Sequence, residues 1–249
     1  MQQTPTQEIY KHLEVAFQHF NERLFDGQLP VCLLTVQREK NTMGYFSPLR
    51  WSNRNGTNTH EIAVNPLFFA GYPLIEIFQT IVHEQCHLWQ FEFGNPSRKT
   101  YHNREWAEKM EAIGLMPSST GQPGGKKTGQ HMNDYPIEDG MFMKACESLI
   151  ESGYFFNWVD RWGVRKSPLT FVAPTETQIT DDSAVVVQTV LNQPIKNEFL
   201  GIESQTIPIA PKLTRKKFTC PICGINVWGK PSIRVLCIEC SQVLIPDTE

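Results

Sequence analysis

Residues 74–93 read LIEIFQTIVHEQCHLWQFEF, and the reading of this stretch fixes what surrounds it. Leu74, Ile77, Phe78, Ile81 and Val82 recur at three- and four-residue spacing, the period of an α-helix with one buried face. Tyr72-Pro73 opens the segment, where proline's missing N–H costs nothing, and Gly94-Asn95-Pro96 ends it. Inside the helix lies His83-Glu84-Gln85-Cys86-His87. Four residues turn a helix by about 400°, so the two imidazoles project from nearly the same face, one turn apart. That geometry lets two nitrogens reach one Zn²⁺ at roughly 2.0–2.1 Å, with Glu84 beside them as a general base.

A catalytic zinc site takes three protein ligands and keeps one position open. His102 is the best third ligand, because it directly precedes a helix-like segment, residues 103–113, that stops at Gly114. Glu105 is the alternative, giving two histidines and a carboxylate; otherwise it orients a ligand by a hydrogen bond or stands as an exposed helix carboxylate. His60 and His131 come from less constrained places. Cys86 is expected to pack in the core, Cys32 and Cys146 to be unliganded, and Met110, Met141 and Met143 to fill core gaps.

Residues 6–25 form an amphipathic helix with Ile9, Leu13, Val15, Ala16, Phe20 and Leu24 near helical spacing. Residues 31–37, 43–46 and 61–64 are β-prone and suit a small three-stranded antiparallel sheet, with the polar 51–59 stretch as a loop. Residues 116–134 are rich in Gly, Ser, Thr and Pro and read as a loop. Residues 139–152 are helix-like, with Phe142, Ala145, Leu149 and Ile150 on the buried face. Residues 164–214 show no helical period and read as irregular linker. The fold class is α+β.

The tail is a separate small unit. Cys220-Pro221-Ile222-Cys223 and Cys237-Ile238-Glu239-Cys240 are separated by 13 residues. Two CxxC pairs at this distance signal a closed Cys₄ zinc site in a ribbon of two knuckles. Such a site is structural: its ion folds the tail rather than reacting. Between Lys212 and Arg234 lie Lys212, Arg215, Lys216, Lys217, Lys230 and Arg234 and no acid, on a chain of net charge −3. A basic strip on an acidic body can meet phosphate, and Trp228 or Phe218 offers a stacking face for single-stranded bases.

The chain has 249 residues, 40% hydrophobic and 20% charged, which excludes disordered and collagen-like classes. No stretch of eighteen apolar residues occurs, so no membrane span is expected. The polar start, without a basic region followed by an apolar one, gives no secretory signal. Seven cysteines in that setting argue against a disulfide framework. An intracellular, cytoplasmic protein is expected.

HEQCHLWQ, a gap, and then HNREWAEKMEAIGL resemble the SprT-like (Spartan-type) zinc metalloproteases, whose pattern is HExxH followed by His-Gly-x-Glu-Phe at the start of a later helix. Asn103 stands where that family has Gly, and Trp106 where it has Phe. The resemblance covers residues 5–115 and the ribbon. It implies His83, His87 and His102 as ligands of a catalytic zinc, Glu84 as the base, and a structural zinc on Cys220, Cys223, Cys237 and Cys240. It further implies a zincin-like domain over residues 1–115, a loop, helix and irregular linker over 116–214, and the ribbon over 215–249. The expected substrates are proteins on DNA, crosslinked ones included, met near the nucleoid in a bacterial cell, with the ribbon recruiting single-stranded DNA. A reading from another class is a non-proteolytic nucleic-acid-binding or regulatory protein that keeps the scaffold and the ribbon. A third is a hydrolase of small, non-protein substrates.

Overall fold

The computed structural model describes residues 3–39, 42–98, 101–160, 163, 187–188, 190–192 and 216–246. Helix α1 (Pro5–Leu24) starts where a capping box forms: Thr4 Oγ1 accepts from the Gln7 amide while the Gln7 side chain accepts from the Thr4 amide at 2.9 Å. It lays Leu13, Ala16, Phe17, Phe20 and Leu24 against the interior.

Three strands follow: β1 (Leu33–Val36), β2 (Gly44–Ser52) and β3 (Asn58–Val64), in the order β1-β3-β2. The sheet is mixed, which corrects the expectation of an antiparallel one. β2 and β3 form an antiparallel hairpin, but β1 runs parallel to β3, with Leu33 opposite Glu61 and Val36 opposite Val64. β1 and β2 run in opposite directions, so a strand inserted between them must be parallel to one of them. β3 takes the centre because Ile62, Ala63 and Val64 are apolar on both faces, and all three are buried. Most of the expected 51–59 loop is instead the end of this hairpin. Its turn is closed by Asn53 Oδ1, which accepts from the Asn55 and Thr57 amides at 2.9 and 3.0 Å, while Gly56 supplies φ 78°.

Helix α2 (Leu74–Phe93) lies across the sheet and buries Leu74, Ile77, Phe78, Ile81 and Val82, as its period demands. Phe20 and Phe78 meet edge to face with centroids 5.2 Å apart; burying each ring contributes ~1.5–3 kcal/mol. Helix α3 (Arg104–Ala112) packs on α2 through Trp106, Ala107 and Met110. The stretch read as a loop is then closed at its base into a hairpin, because β4 (Leu115–Ser118) pairs antiparallel with β5 (Asn133–Pro136). Ser118 ties the loop inside: its Oγ donates to the Gln122 carbonyl at 2.6 Å and accepts from the Thr120 and Gln122 amides. Helix α4 (Met141–Glu151) buries Phe142, Ala145, Cys146 and Leu149 and packs on α1, where His19 Nε2 reaches the Ala145 carbonyl at 2.8 Å. Val187 and Leu191 join the same core.

The chain divides into two compact units, Met1–Glu203 and Ser204–Glu249. In the second, β6 (Lys216–Thr219) pairs antiparallel with β7 (Asn226–Gly229), and β8 (Leu236–Cys237) with β9 (Gln242–Val243); β10 (Ile245–Pro246) adds to β6. Its buried core is Phe218, Cys220, Cys237 and Leu244, too little to hold so small a unit without a cross-link. Among the described residues, no helix is long and apolar enough to cross a membrane.

Candidate metal centres

In the first unit the i, i+4 spacing on α2 sets the His83 and His87 rings 5.0 Å apart, and His102 arrives from the residue just before the α3 cap. His102 Nε2 lies 3.2 Å from His83 Nε2 and 3.1 Å from His87 Nε2. Two neighbouring corners of a tetrahedron with 2.0–2.1 Å metal–nitrogen bonds lie about 3.3 Å apart. The three nitrogens therefore fit around one cation, and the donor set suits Zn²⁺. Protonation favours this at two of the three rings. Burial, with the charge of the neighbouring histidines, holds His87 well below its ordinary pKa, and the same causes push His102 down to about 4. Their lone pairs are free at neutral pH. Burial also pulls on His83, but the hydrogen bond it donates to Asp134 and the charges of Glu84 and Asp134 carry it above its ordinary value.

The outer nitrogens of two of these rings are held. His83 Nδ1 lies 3.0 Å from Asp134 Oδ2, and Gln79 Nε2 donates to Asp134 Oδ1 at 2.9 Å. His102 Nδ1 lies 3.2 Å from the Gly129 carbonyl, and the two residues also exchange backbone hydrogen bonds. Beneath all three rings sits Trp106, fully buried, with centroids 4.9, 5.4 and 4.4 Å from His83, His87 and His102. Asn103 caps α3: its Oδ1 accepts from the Trp106 amide at 3.0 Å and from Gln90 Nε2 at 2.7 Å. Glu105 points away from the rings and accepts from Gln90 Nε2 and the Asn95 amide, at 2.8 and 2.7 Å. These bonds, the Asn95 amide first, hold its carboxyl below the usual value. Asp134 and Gly129 escaped the reading of the sequence because both lie in the segment taken as loop. Asn133 and Asp134 are poor strand formers, so local propensity carried no signal for the strand that holds Asp134.

Glu84 is buried beside the histidines. Burial lifts its carboxyl to about 7, against the charge of His83 and the hydrogen bond from the Phe46 amide. That amide comes close because Gly44 lets β2 approach α2: a Cβ there would lie 2.7 Å from Thr80 Cγ2 and 2.8 Å from the Ala63 carbonyl. His60 stands outside the cluster, accepting from the Leu49 amide and pairing with Glu92 at 3.0 Å. His131 is exposed. Cys86 is buried with its sulfur 3.8 Å from the Trp106 carbonyl.

In the second unit, Cys220, Cys223, Cys237 and Cys240 bring their sulfurs within 4.8 Å of one another. Cys223 Sγ and Cys237 Sγ are 3.8 Å apart, matching the edge of a tetrahedron with 2.3 Å metal–sulfur bonds, about 3.8 Å. Each pair is followed by a residue of positive φ, Gly224 at 72° and Ser241 at 50°, which turns the chain back. Hydrogen bonds from the Cys223 and Ile222 amides lower Cys220 to about 7. Trp228, Lys230 and Arg234 are exposed, and Lys216 and Lys217 are half-buried on β6. Phe218 lies in the small core, so it offers no stacking face. Lys212 and Arg215 lie outside the described residues.

A family model described as "SprT-like family" matches residues 13–127. The chain is similar to "Uncharacterized protein in mucB 3'region" of Salmonella typhimurium, with 49% identity over 55 residues, 22% of this chain and 74% of that protein. No solved structure matches the chain.

Proposed function

The chain belongs to the SprT-like family, and on that footing we propose that it is a zinc-dependent metallopeptidase with a zincin-like first unit, acting on proteins held on DNA. The observation that carries this reading is the convergence of His83, His87 and His102 from a helix-borne HExxH, with its glutamate buried beside them. Zinc held by these three residues would polarise the scissile carbonyl and make water acidic enough to react near neutral pH. Glu84 accepts the proton of the attacking water and passes it to the departing amine. Its raised pKa suits both halves of that task. Asp134 and the Gly129 carbonyl fix two of the imidazoles, and Trp106 closes the back of the site to solvent.

In the second unit the four cysteines hold a structural zinc. Its exposed Trp228, with Lys230, Arg234, Lys216 and Lys217, supports binding of single-stranded DNA, the indole stacking on bases and the cations meeting phosphate. From the sequence alone, Lys212 and Arg215 extend the same strip. Work on DNA puts the protein in the cytoplasm, at the nucleoid in a bacterial cell.

The test is to incubate the full chain with a DNA-binding protein as substrate, with and without single-stranded DNA, beside Glu84→Gln. Cleavage that rises with DNA and is lost in Glu84→Gln is the expected result. DNA binding with no cleavage by either form would replace the peptidase by a non-proteolytic DNA-binding protein.

A further inference from the structure

The reading of His83, His87 and His102 as a zinc site leaves unexplained why the β4–β5 hairpin is built as tightly as it is. Its loop is glycine-rich, yet Ser118 is buried and ties three backbone groups together. Ser119 and Lys126 are joined across the loop by two further bonds, at 2.8 and 3.0 Å. At Gly125 a Cβ would collide with Ser118 Oγ. Both places where this hairpin meets the site fall on the outer nitrogen of an imidazole, Asp134 on His83 and the Gly129 carbonyl on His102. The Asp134 side chain is 7% exposed and has Gln79 on its other oxygen.

We propose that Asp134 is the positioning residue of the zinc site, and that the β4–β5 hairpin is a preassembled brace that sets the site's affinity. A carboxylate at His83 Nδ1 requires the proton on that nitrogen and leaves Nε2 bare, in the tautomer that faces His102. The Gly129 carbonyl imposes the same tautomer on His102, since a carbonyl oxygen only accepts. Asp134 adds negative charge to the imidazole and makes it a stronger donor. α2 supplies the direction of His83 and His87, and the hairpin supplies their companion's placement and the rotational lock.

This inference rests on the zinc reading, and the test separates the two. Zinc affinity is measured on the full chain, stripped of metal and titrated against a chromophoric chelator, for wild type, Asp134→Asn and Asp134→Ala. His87→Ala identifies which binding step belongs to the histidines, and the cysteine step serves as internal reference. Removing a carboxylate behind a zinc histidine costs roughly 10–100-fold in affinity. We expect roughly 10-fold for Asp134→Asn, which keeps the shape but loses the charge, and more for Asp134→Ala, with the cysteine step unchanged. Gln79→Met, which frees Asp134 without touching a histidine, is expected to weaken the same step less than Asp134→Asn does. It serves as the test if either Asp134 variant melts without cooperativity. Histidine-step affinities within twofold of wild type in the variants that fold would overturn the brace while leaving the zinc site standing. A wild type whose binding is unaltered by His87→Ala would overturn both.

Discussion

Asn103 stands where the family pattern has glycine, and the structure gives it three bonds that a glycine lacks. Its Oδ1 caps α3 at the Trp106 amide and accepts from Gln90, and its Nδ2 donates to the Asn95 carbonyl at 3.0 Å. In Asn103→Ala the lost cap costs about 1 kcal/mol. Gln90 keeps Glu105 as a partner, and the Asn95 carbonyl is partly exposed, so these two bonds together add about 1 kcal/mol. The sum is about 2 kcal/mol. Asn103→Gly retains most of the capping preference, losing only a few tenths there, so it should cost about two-thirds as much. The assay is urea unfolding of the metal-free chain followed through Trp106 and the other tryptophans. With a slope of about 2 kcal/mol per molar, the alanine variant's midpoint falls by about 1 M and the glycine variant's by about 0.7 M. An alanine variant within about 0.5 kcal/mol of wild type, or a glycine variant less stable than the alanine one, would refute the capping argument.

Three further outcomes follow from the same geometry. Glu84 has its pKa raised on folding from 4.5 to about 7, so it takes up a proton as the metal-free chain folds. Its contribution is full below pH 4.5 and is lost as pH rises through 7. Glu84→Gln should match wild type at pH 4 and exceed it in metal-free stability at pH 8, by up to about 3 kcal/mol; equal urea midpoints at pH 8 would count against a buried acid. At Gly94 a Cβ would lie 2.6 Å from Glu105 Oε2 and 3.1 Å from the Gln90 carbonyl. Gly94→Ala must therefore displace the Glu105 carboxylate from its bonds to Gln90 and the Asn95 amide, and is expected to cost about 1 kcal/mol, read as a lowered thermal midpoint. Cys237→Ser should lose the tail's zinc and make residues 216–246 sensitive to limited proteolysis, with the melting of the first unit unchanged.

Much of the site was legible because its chemistry rides on a helix. An i, i+4 pair on an apolar-periodic segment has one geometry, and the adjacent helix start at Asn103 leaves His102 only a short reach. The paired CxxC turns are equally local, each a knuckle whose turn residue, Gly224 or Ser241, directly follows it. The sheet was harder. Strand direction depends on which strand lies between which, and three short runs do not encode that β3, last in sequence, enters the centre. Asp134 and Gly129 were invisible for a different reason. Asp134 lies 51 residues from His83 and Gly129 27 residues from His102, across a segment that carries no period, and a glycine-rich stretch has the same composition whether it wanders or folds back on Ser118. The backbone bonds that make it a hairpin are formed by tertiary contact.

On the proposed reading, His83, His87 and His102 hold a zinc ion apart from the cysteine site. Native mass spectrometry of the zinc-loaded chain tests it most directly. Two zinc ions per chain are expected in wild type and in Glu84→Gln, and one in His87→Ala. A wild-type chain carrying one zinc, unchanged by His87→Ala, would contradict it.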